Sequence, residues 1–178
     1  MAMTERTLVL ATGCLLLRAQ ARLMLAESCT GGMVSEWLTA VGGSSAWFDG
    51  AVVSYSNAVK REVLGVRAGT LAVHGAVSCE TAGEMVAGLG RLHCRALDNA
   101  GGVPAGHLLG MSITGIAGPM GGTPGKPVGT VCFGWAGPWG VATGRRHFDG
   151  DRDAIRRQAS EWALTVLIGH AASIRTGS

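Results

Sequence analysis

Apolar residues recur along this chain in two alternating rhythms. Residues from about Thr4 to Arg18 carry Leu8, Leu15 and their neighbours at helical spacing, which predicts an opening helix with one buried side. Leu23 to Ala26 is a short continuous apolar run and predicts a buried strand. A helix is expected from Thr30-Gly31-Gly32 through about Ala40, with Thr30 as its N-cap and Gly42-Gly43 ending it. Ser44 to Phe48 reads as a turn or a single helical turn, and Ala51 to Ser54 as a strand around Val52 and Val53. Asn57 is placed to cap a helix running through Leu64.

The second half repeats the alternation. Met85, Leu89, Leu92 and Ala96 form one stripe on a helix predicted from Glu80 to about Leu97. Asn99 to Gly106 reads as a loop and Leu108 to Ile116 as a central strand. Ala117 to Pro127 is a long Gly/Pro loop. Val128 to Trp135 and Val141 to Phe148 predict a hairpin, with Gly137-Pro138 near its turn. A last helix is expected from about Asp151 to Ile168, with Ile155, Ala159, Trp162, Val166 and Leu167 as its apolar face. Asp151 and Asp153 sit in its first turn, where negative charge suits the helix dipole. This order predicts a single-domain α/β sandwich with a mixed sheet.

Composition narrows the picture. Of the 178 residues, 47% are hydrophobic, enough for a sizeable core and against general disorder. The net charge of +3, without a basic stripe, argues against direct nucleic-acid binding and suits a small anionic ligand. Five cysteines without a C-x-x-C pair predict neither a disulfide framework nor a zinc site, and point to a reducing cytoplasm. The run from Leu8 to Leu17, followed by Ala19-Gln20-Ala21, has some features of a secretion signal. Glu5 beside Arg6 and the Thr12-Gly13 interruption favour a core helix, and the run is too short to span a bilayer.

Four segments hold candidate chemistry. Glu27-Ser28-Cys29-Thr30-Gly31-Gly32 joins a strand to a helix start, where backbone N–H groups approach an anion and Ser28 and Thr30 add hydroxyls. The same residues also suit a plain capped turn. Gly43-Ser44-Ser45-Ala46-Trp47-Phe48, with Tyr55 and Lys60 downstream, holds a serine and a lysine. A serine needs a proton acceptor to become a nucleophile, and a buried lysine is one. By spacing alone, a capping serine and a surface lysine account for them as well. Thr114-Gly115-Ile116-Ala117-Gly118-Pro119 leaves the C-terminal end of a strand, where α/β proteins bind ligands, and no Walker A ending follows. Gly150-Asp151-Arg152-Asp153 offers an arginine for a phosphate, or a charge-balanced helix start. His74, His93, His107, His147 and His170 have no metal-type spacing, and Trp47, Trp135 and Trp162 read as core.

Seven blocks occur in one order: A-E-S-C-T-G-G at 26–32, G-S-S-A-W-F at 43–48, S-Y-S-N at 54–57, H-G-A-V-S at 74–78, T-G-I-A-G-P at 114–119, K-P-V-G-T-V at 126–131 and G-D-R at 150–152. Together they resemble the CinA C-terminal domain, or nicotinamide mononucleotide deamidase, family. The resemblance runs from about residue 5 to 168 and treats residues 1–178 as one such domain. It implies a three-layer α/β/α sandwich, a homo-oligomer and a Ser/Lys amidohydrolase that needs no metal or other cofactor. It assigns Ser45 as nucleophile, Lys60 as base and Tyr55 as an assisting residue. Ser28, Thr114 and Arg152 fall at supporting positions, and Thr30, Gly31, Gly32, Gly115 and Gly118 lie in the loops expected to hold substrate. The implied partner is a small nucleotide, with no nucleic acid and no membrane. Met120, Gly125 and a longer Asn99–Gly106 segment depart from the family pattern. Two rivals remain at this point: a non-catalytic nucleotide-binding or competence- and damage-linked module, and an amidase for a different amide.

Overall fold

The structure is a computed structural model and describes residues 3–100 and 107–174. Six helices and five strands follow in the order α1 (Met3–Arg18), β1 (Ala21–Glu27), α2 (Met33–Thr39), β2 (Phe48–Val53), α3 (Asn57–Glu62), α4 (Ala68–His74), α5 (Cys79–Ala100), β3 (His107–Gly115), β4 (Thr130–Gly137), β5 (Gly140–His147) and α6 (Arg152–Ala172). The expected loop at Asn99–Gly106 falls mostly on residues outside the description, as does the side chain of Ala96.

The sheet order is β2-β1-β3-β4-β5. The first three strands are parallel, and β4 and β5 are antiparallel, so the sheet is mixed as the alternation predicts. Strand parity divides the core into two layers, because successive side chains point to opposite faces. Leu23, Leu25, Leu109, Met111, Ile113, Val131, Phe133 and Trp135 face α1, α2 and α6. Ala26, Gly110, Ser112 and Gly134 face α5 with its Met85, Val86 and Leu89. This is the α/β/α sandwich.

The small residues under α5 set its distance from the sheet. A Cβ on Gly134 would lie 2.7 Å from the Ala82 carbonyl oxygen and from Ser112 Oγ. Ser112 Oγ itself donates to that carbonyl at 2.7 Å, bonding strand to helix. On the other face, Trp47 packs edge-on against Gly13 of α1, where a Cβ would meet its ring at 2.9 Å. Glu5 of α1 is buried and accepts from Arg157 Nη1 of α6 at 2.8 Å, joining the two outer helices by an ion pair.

Two local expectations are corrected. Thr30 does not cap α2. Gly32 occupies the cap position in the left-handed region (φ 95°), and the first N–H groups are taken by a carboxylate from the end of β1. Glu27 accepts from Gly32 N at 2.9 Å, Val34 N at 3.3 Å and Ser35 N at 2.9 Å, and from Ser35 Oγ at 2.6 Å. At α3, Ser56 rather than Asn57 is the cap, accepting from Val59 N at 3.2 Å. Helix α4 has no local signal of comparable strength. Its start is held from α5, where Glu84 accepts from Arg67 N and Nε and from Thr70 Oγ1 at 2.7–2.8 Å.

Candidate active site

Parallel pairing brings the C-terminal ends of β1, β2 and β3 to one edge of the sheet, the place where such sheets bind ligands. Ser28 N donates to Ile113 O at 2.9 Å and Ser54 N to Glu27 O at 2.7 Å, so the three chain ends are tied as they leave the sheet. Glu27 then fixes the following turn by its hold on α2. The Ser28 hydroxyl is therefore set by backbone on both sides.

Lys60 lies one turn into α3, which folds back over these ends. It is only 1% exposed. Its Nζ donates to Ser28 Oγ at 2.9 Å, to Ser54 O at 2.6 Å and to Tyr55 O at 3.3 Å, which uses all three protons of the ammonium. Burial lowers the Lys60 pKa from the ordinary lysine value, because a charged amine is poorly solvated there; the nearby Cys29 thiol works weakly in the other direction. A neutral amine in the same place would accept the Ser28 proton.

Beside this pair is a cavity of about 160 Å³. Ser28, Lys60, Thr114, Gly115, Tyr55 and Arg152 line it, together with Cys29, Ala117 and the Ala76-Val77 stretch. Burial pushes the Cys29 thiol up to about 12, so at neutral pH it is protonated and a poor nucleophile. Thr114 Oγ1 donates to Ala76 O at 2.8 Å and so holds that wall in place. Arg152, the first residue of α6, donates through Nη1 to Gly118 O at 2.7 Å and through Nη2 to the Tyr55 hydroxyl at 3.2 Å. Tyr55 is 63% exposed, and its hydroxyl faces Arg152 while its carbonyl receives Lys60.

Ser45 is elsewhere. It is exposed on a 3₁₀ turn (Ser44–Ala46) that precedes β2, at the end where β1 begins, and Trp47 O accepts there from Leu23 N. The strand from Phe48 to Val53 then separates it from Lys60 by about 17 Å of rise. The expected Ser45–Lys60 contact is not made within this chain; the hydroxyl on Lys60 is that of Ser28.

Thr30, Gly31, Gly32 and Gly118 are not among the residues lining the cavity. Gly31 and Gly32 both take positive φ to turn the chain into α2, and Thr30 is buried. A Cβ on Gly118 would lie 2.6 Å from Val128, so its role is close approach as well as accepting Arg152. Arg156, one turn after Arg152, offers the same arginine chemistry in the sequence but is not among the positions that the resemblance assigns. Its Nε donates to Cys29 O at 3.2 Å and Nη2 to Thr30 O at 2.7 Å, clamping the Ser28 loop from α6. His93, His74 and His147 lie separately beside Asp49, Glu80 and Asp149, and among the described residues no three His, Cys, Asp or Glu side chains converge as a metal site. Among the described residues no helix is long and apolar enough to cross a membrane.

The model of the CinA C-terminal domain matches residues 5–170. The chain belongs to the CinA C-terminal domain family. A CinA-like protein of Anaeromyxobacter dehalogenans (strain 2CP-C) is 53% identical over 146 residues, which are 82% of this chain and 33% of that protein. The chain thus spans about a third of the length of these CinA-like relatives. The nicotinamide-nucleotide amidohydrolase PncC of Escherichia coli (strain K12) is 49% identical over 143 residues, 80% of this chain and 79% of that one. Among solved structures, a competence-damaged protein (CinA) superfamily protein from Klebsiella pneumoniae 700603 aligns with a TM-score of 0.81 at 38% identity, covering 94% of this chain and 98% of that chain. The competence/damage inducible protein CihA from Agrobacterium tumefaciens aligns with a TM-score of 0.81 at 35% identity, covering 94% of this chain and 96% of that one. This family fold is the three-layer sandwich described above.

Proposed function

We propose that the chain is an amidohydrolase that converts nicotinamide mononucleotide to nicotinate mononucleotide and ammonia, with Ser28 as nucleophile and Lys60 as its base. The observation that carries this reading is the 2.9 Å contact between Lys60 Nζ and Ser28 Oγ in a buried setting. The identity to amidohydrolases of that name over most of their length supports the substrate.

In this mechanism the Ser28 oxygen attacks the carboxamide carbon while neutral Lys60 takes the hydroxyl proton. The resulting ammonium passes that proton to the amide nitrogen as the C–N bond breaks, and ammonia leaves. The nicotinoyl group is then an ester on Ser28. Water attacks the ester, Lys60 takes the water proton, and the serine oxygen leaves with it. The cavity of about 160 Å³ suits the pyridine carboxamide, and Arg152 in its lining would receive the phosphate. Tyr55 would orient Arg152 through its hydroxyl. The proposal includes a cytoplasmic setting, which the free cysteines suit. It also includes a homo-oligomer, for which exposed Val73 and Met120 supply apolar surface.

The test is ammonia release and product analysis with nicotinamide mononucleotide beside free nicotinamide. Turnover of the nucleotide, with little from nicotinamide, is expected. Folded protein that binds the nucleotide without releasing ammonia would favour the binding-module reading instead.

A further inference from the structure

The face of the sheet under α5 carries a second cavity, of about 390 Å³, that the proposed reaction does not use. Cys79 and Cys132 both line it. Cys79 is the first residue of α5 and is half-buried, open to the cavity. Cys132 lies on β4 directly across from Thr114, on the face turned toward α5, and is buried. Burial first, and then the neighbouring Cys79 side chain, raise the Cys132 pKa, as two sulfurs facing one cavity would. Lys126 and Arg145 line the same cavity together with Glu80, so two cationic groups that favour a thiolate stand near the pair, opposed by one carboxylate.

We propose that Cys79 and Cys132 are a reversible dithiol–disulfide site, oxidised by hydroperoxides, that controls the shape of the neighbouring cavity. Cys79 is the accessible sulfur and reacts first. Its thiolate attacks one peroxide oxygen, the O–O bond breaks, and Cys79 becomes a sulfenic acid while hydroxide leaves. The Cys132 sulfur then attacks the Cys79 sulfur, the S–O bond breaks and water leaves, with the Cys132 proton neutralising the hydroxide. In sum, two thiols and one peroxide give one disulfide and two waters. Burial holds the Cys132 thiol protonated, so it acts second, on an already activated partner.

The bond has a short route to the catalytic cavity. Cys79 directly follows the Ala76–Ser78 stretch, and Ala76 and Val77 are walls of that cavity. Thr114, cross-strand partner of Cys132, holds Ala76 O. Drawing Cys79 toward β4 therefore moves the wall against which the substrate would lie.

The experiment uses the full chain with Cys14→Ser and Cys94→Ser, which remove the two exposed thiols. It is treated with hydrogen peroxide, alkylated, and read by intact mass and by peptide mapping without reductant. The expected result is loss of two hydrogen atoms, one linked peptide pair joining Cys79 to Cys132, and reversal by dithiothreitol. Further Cys79→Ser or Cys132→Ser substitution abolishes the link. Oxygen addition at Cys79 with Cys132 still alkylated, or a link through another cysteine, would overturn the site. These readouts do not depend on the amidohydrolase reading. Where the parent turns over nicotinamide mononucleotide, kcat/KM falls several-fold in the linked form and recovers on reduction; an unchanged rate in fully linked protein would overturn the coupling to the catalytic cavity.

Discussion

Lys60 reaches Ser28 across 32 residues of sequence, and its Nζ stands 2.9 Å from the serine oxygen. The contact exists because β1 and β2 are parallel neighbours, so the chain leaves both at the same edge, and α3 turns back over that edge. The remaining Nζ donors are spent on the carbonyls of Ser54 and Tyr55. The amine is thus held by the chain that leads into its own helix.

The pH dependence follows from the burial of Lys60. Its pKa is lowered, so the neutral amine required for catalysis forms below the ordinary lysine value of about 10.4. The rate of ammonia release, as kcat/KM, should rise with pH through that lowered value and level off before the ordinary one. Stability has the same sign. The unfolded chain binds this proton more tightly than the folded one, so the Lys60 contribution to stability rises with pH between the lowered and ordinary values. Denaturant titrations of the parent and Lys60→Met across that window would detect the slope and its removal.

Glu27 is predicted to be a stability residue with a catalytic consequence. Glu27→Gln replaces one accepting oxygen by an amide nitrogen, so part of the set of backbone N–H groups at the start of α2 loses its partner. The expected loss is about 2 to 4 kcal/mol in urea unfolding. Ser35→Ala removes one hydroxyl donor and should cost about 1 kcal/mol.

Gly88→Ala probes the packing of α5 far from the cavity. The added Cβ would lie 2.2 Å from the backbone oxygen of Leu64, which a rotamer change cannot relieve. A loss of about 2 kcal/mol or more is expected in thermal or urea unfolding. An unchanged melting temperature would mean that the Leu64 turn moves freely.

Arg152→Ala tests the proposed phosphate contact. Its kcat/KM for nicotinamide mononucleotide should fall roughly 10- to 100-fold, mainly through KM, the size of a lost charge-assisted hydrogen bond. Preference for the nucleotide over nicotinamide riboside should fall with it. Tyr55→Phe leaves the guanidinium and its bond to Gly118 O in place, and should have a much smaller effect.

The layers were legible in the sequence because hydrophobic rhythm reports burial directly. The stripe of Met85 and Leu89 lies under the core, and the strands around Val52, Ile113 and Phe133 are where alternation placed them. The capping roles were less legible. Glu27 caps α2 from the preceding strand and Glu84 holds α4 from a later helix, and neither partnership has a fixed spacing. The blocks at 26–32, 54–57, 74–78, 114–119 and 150–152 each supply residues to the lining of one cavity. The serine beside Lys60 was not legible from spacing. Ser45 is nearer in sequence than Ser28, but β2 carries the chain from one end of the sheet to the other between Ser45 and Lys60.

The most direct test is a side-by-side assay of ammonia release from nicotinamide mononucleotide by the parent, Ser28→Ala, Lys60→Ala and Ser45→Ala, each confirmed folded by circular dichroism. Ser28→Ala should lose at least about a thousandfold in rate and Lys60→Ala about 10²- to 10⁴-fold, while Ser45→Ala stays near the parent. Near-parent turnover in Ser28→Ala, with loss in Ser45→Ala, would contradict the Ser28–Lys60 assignment.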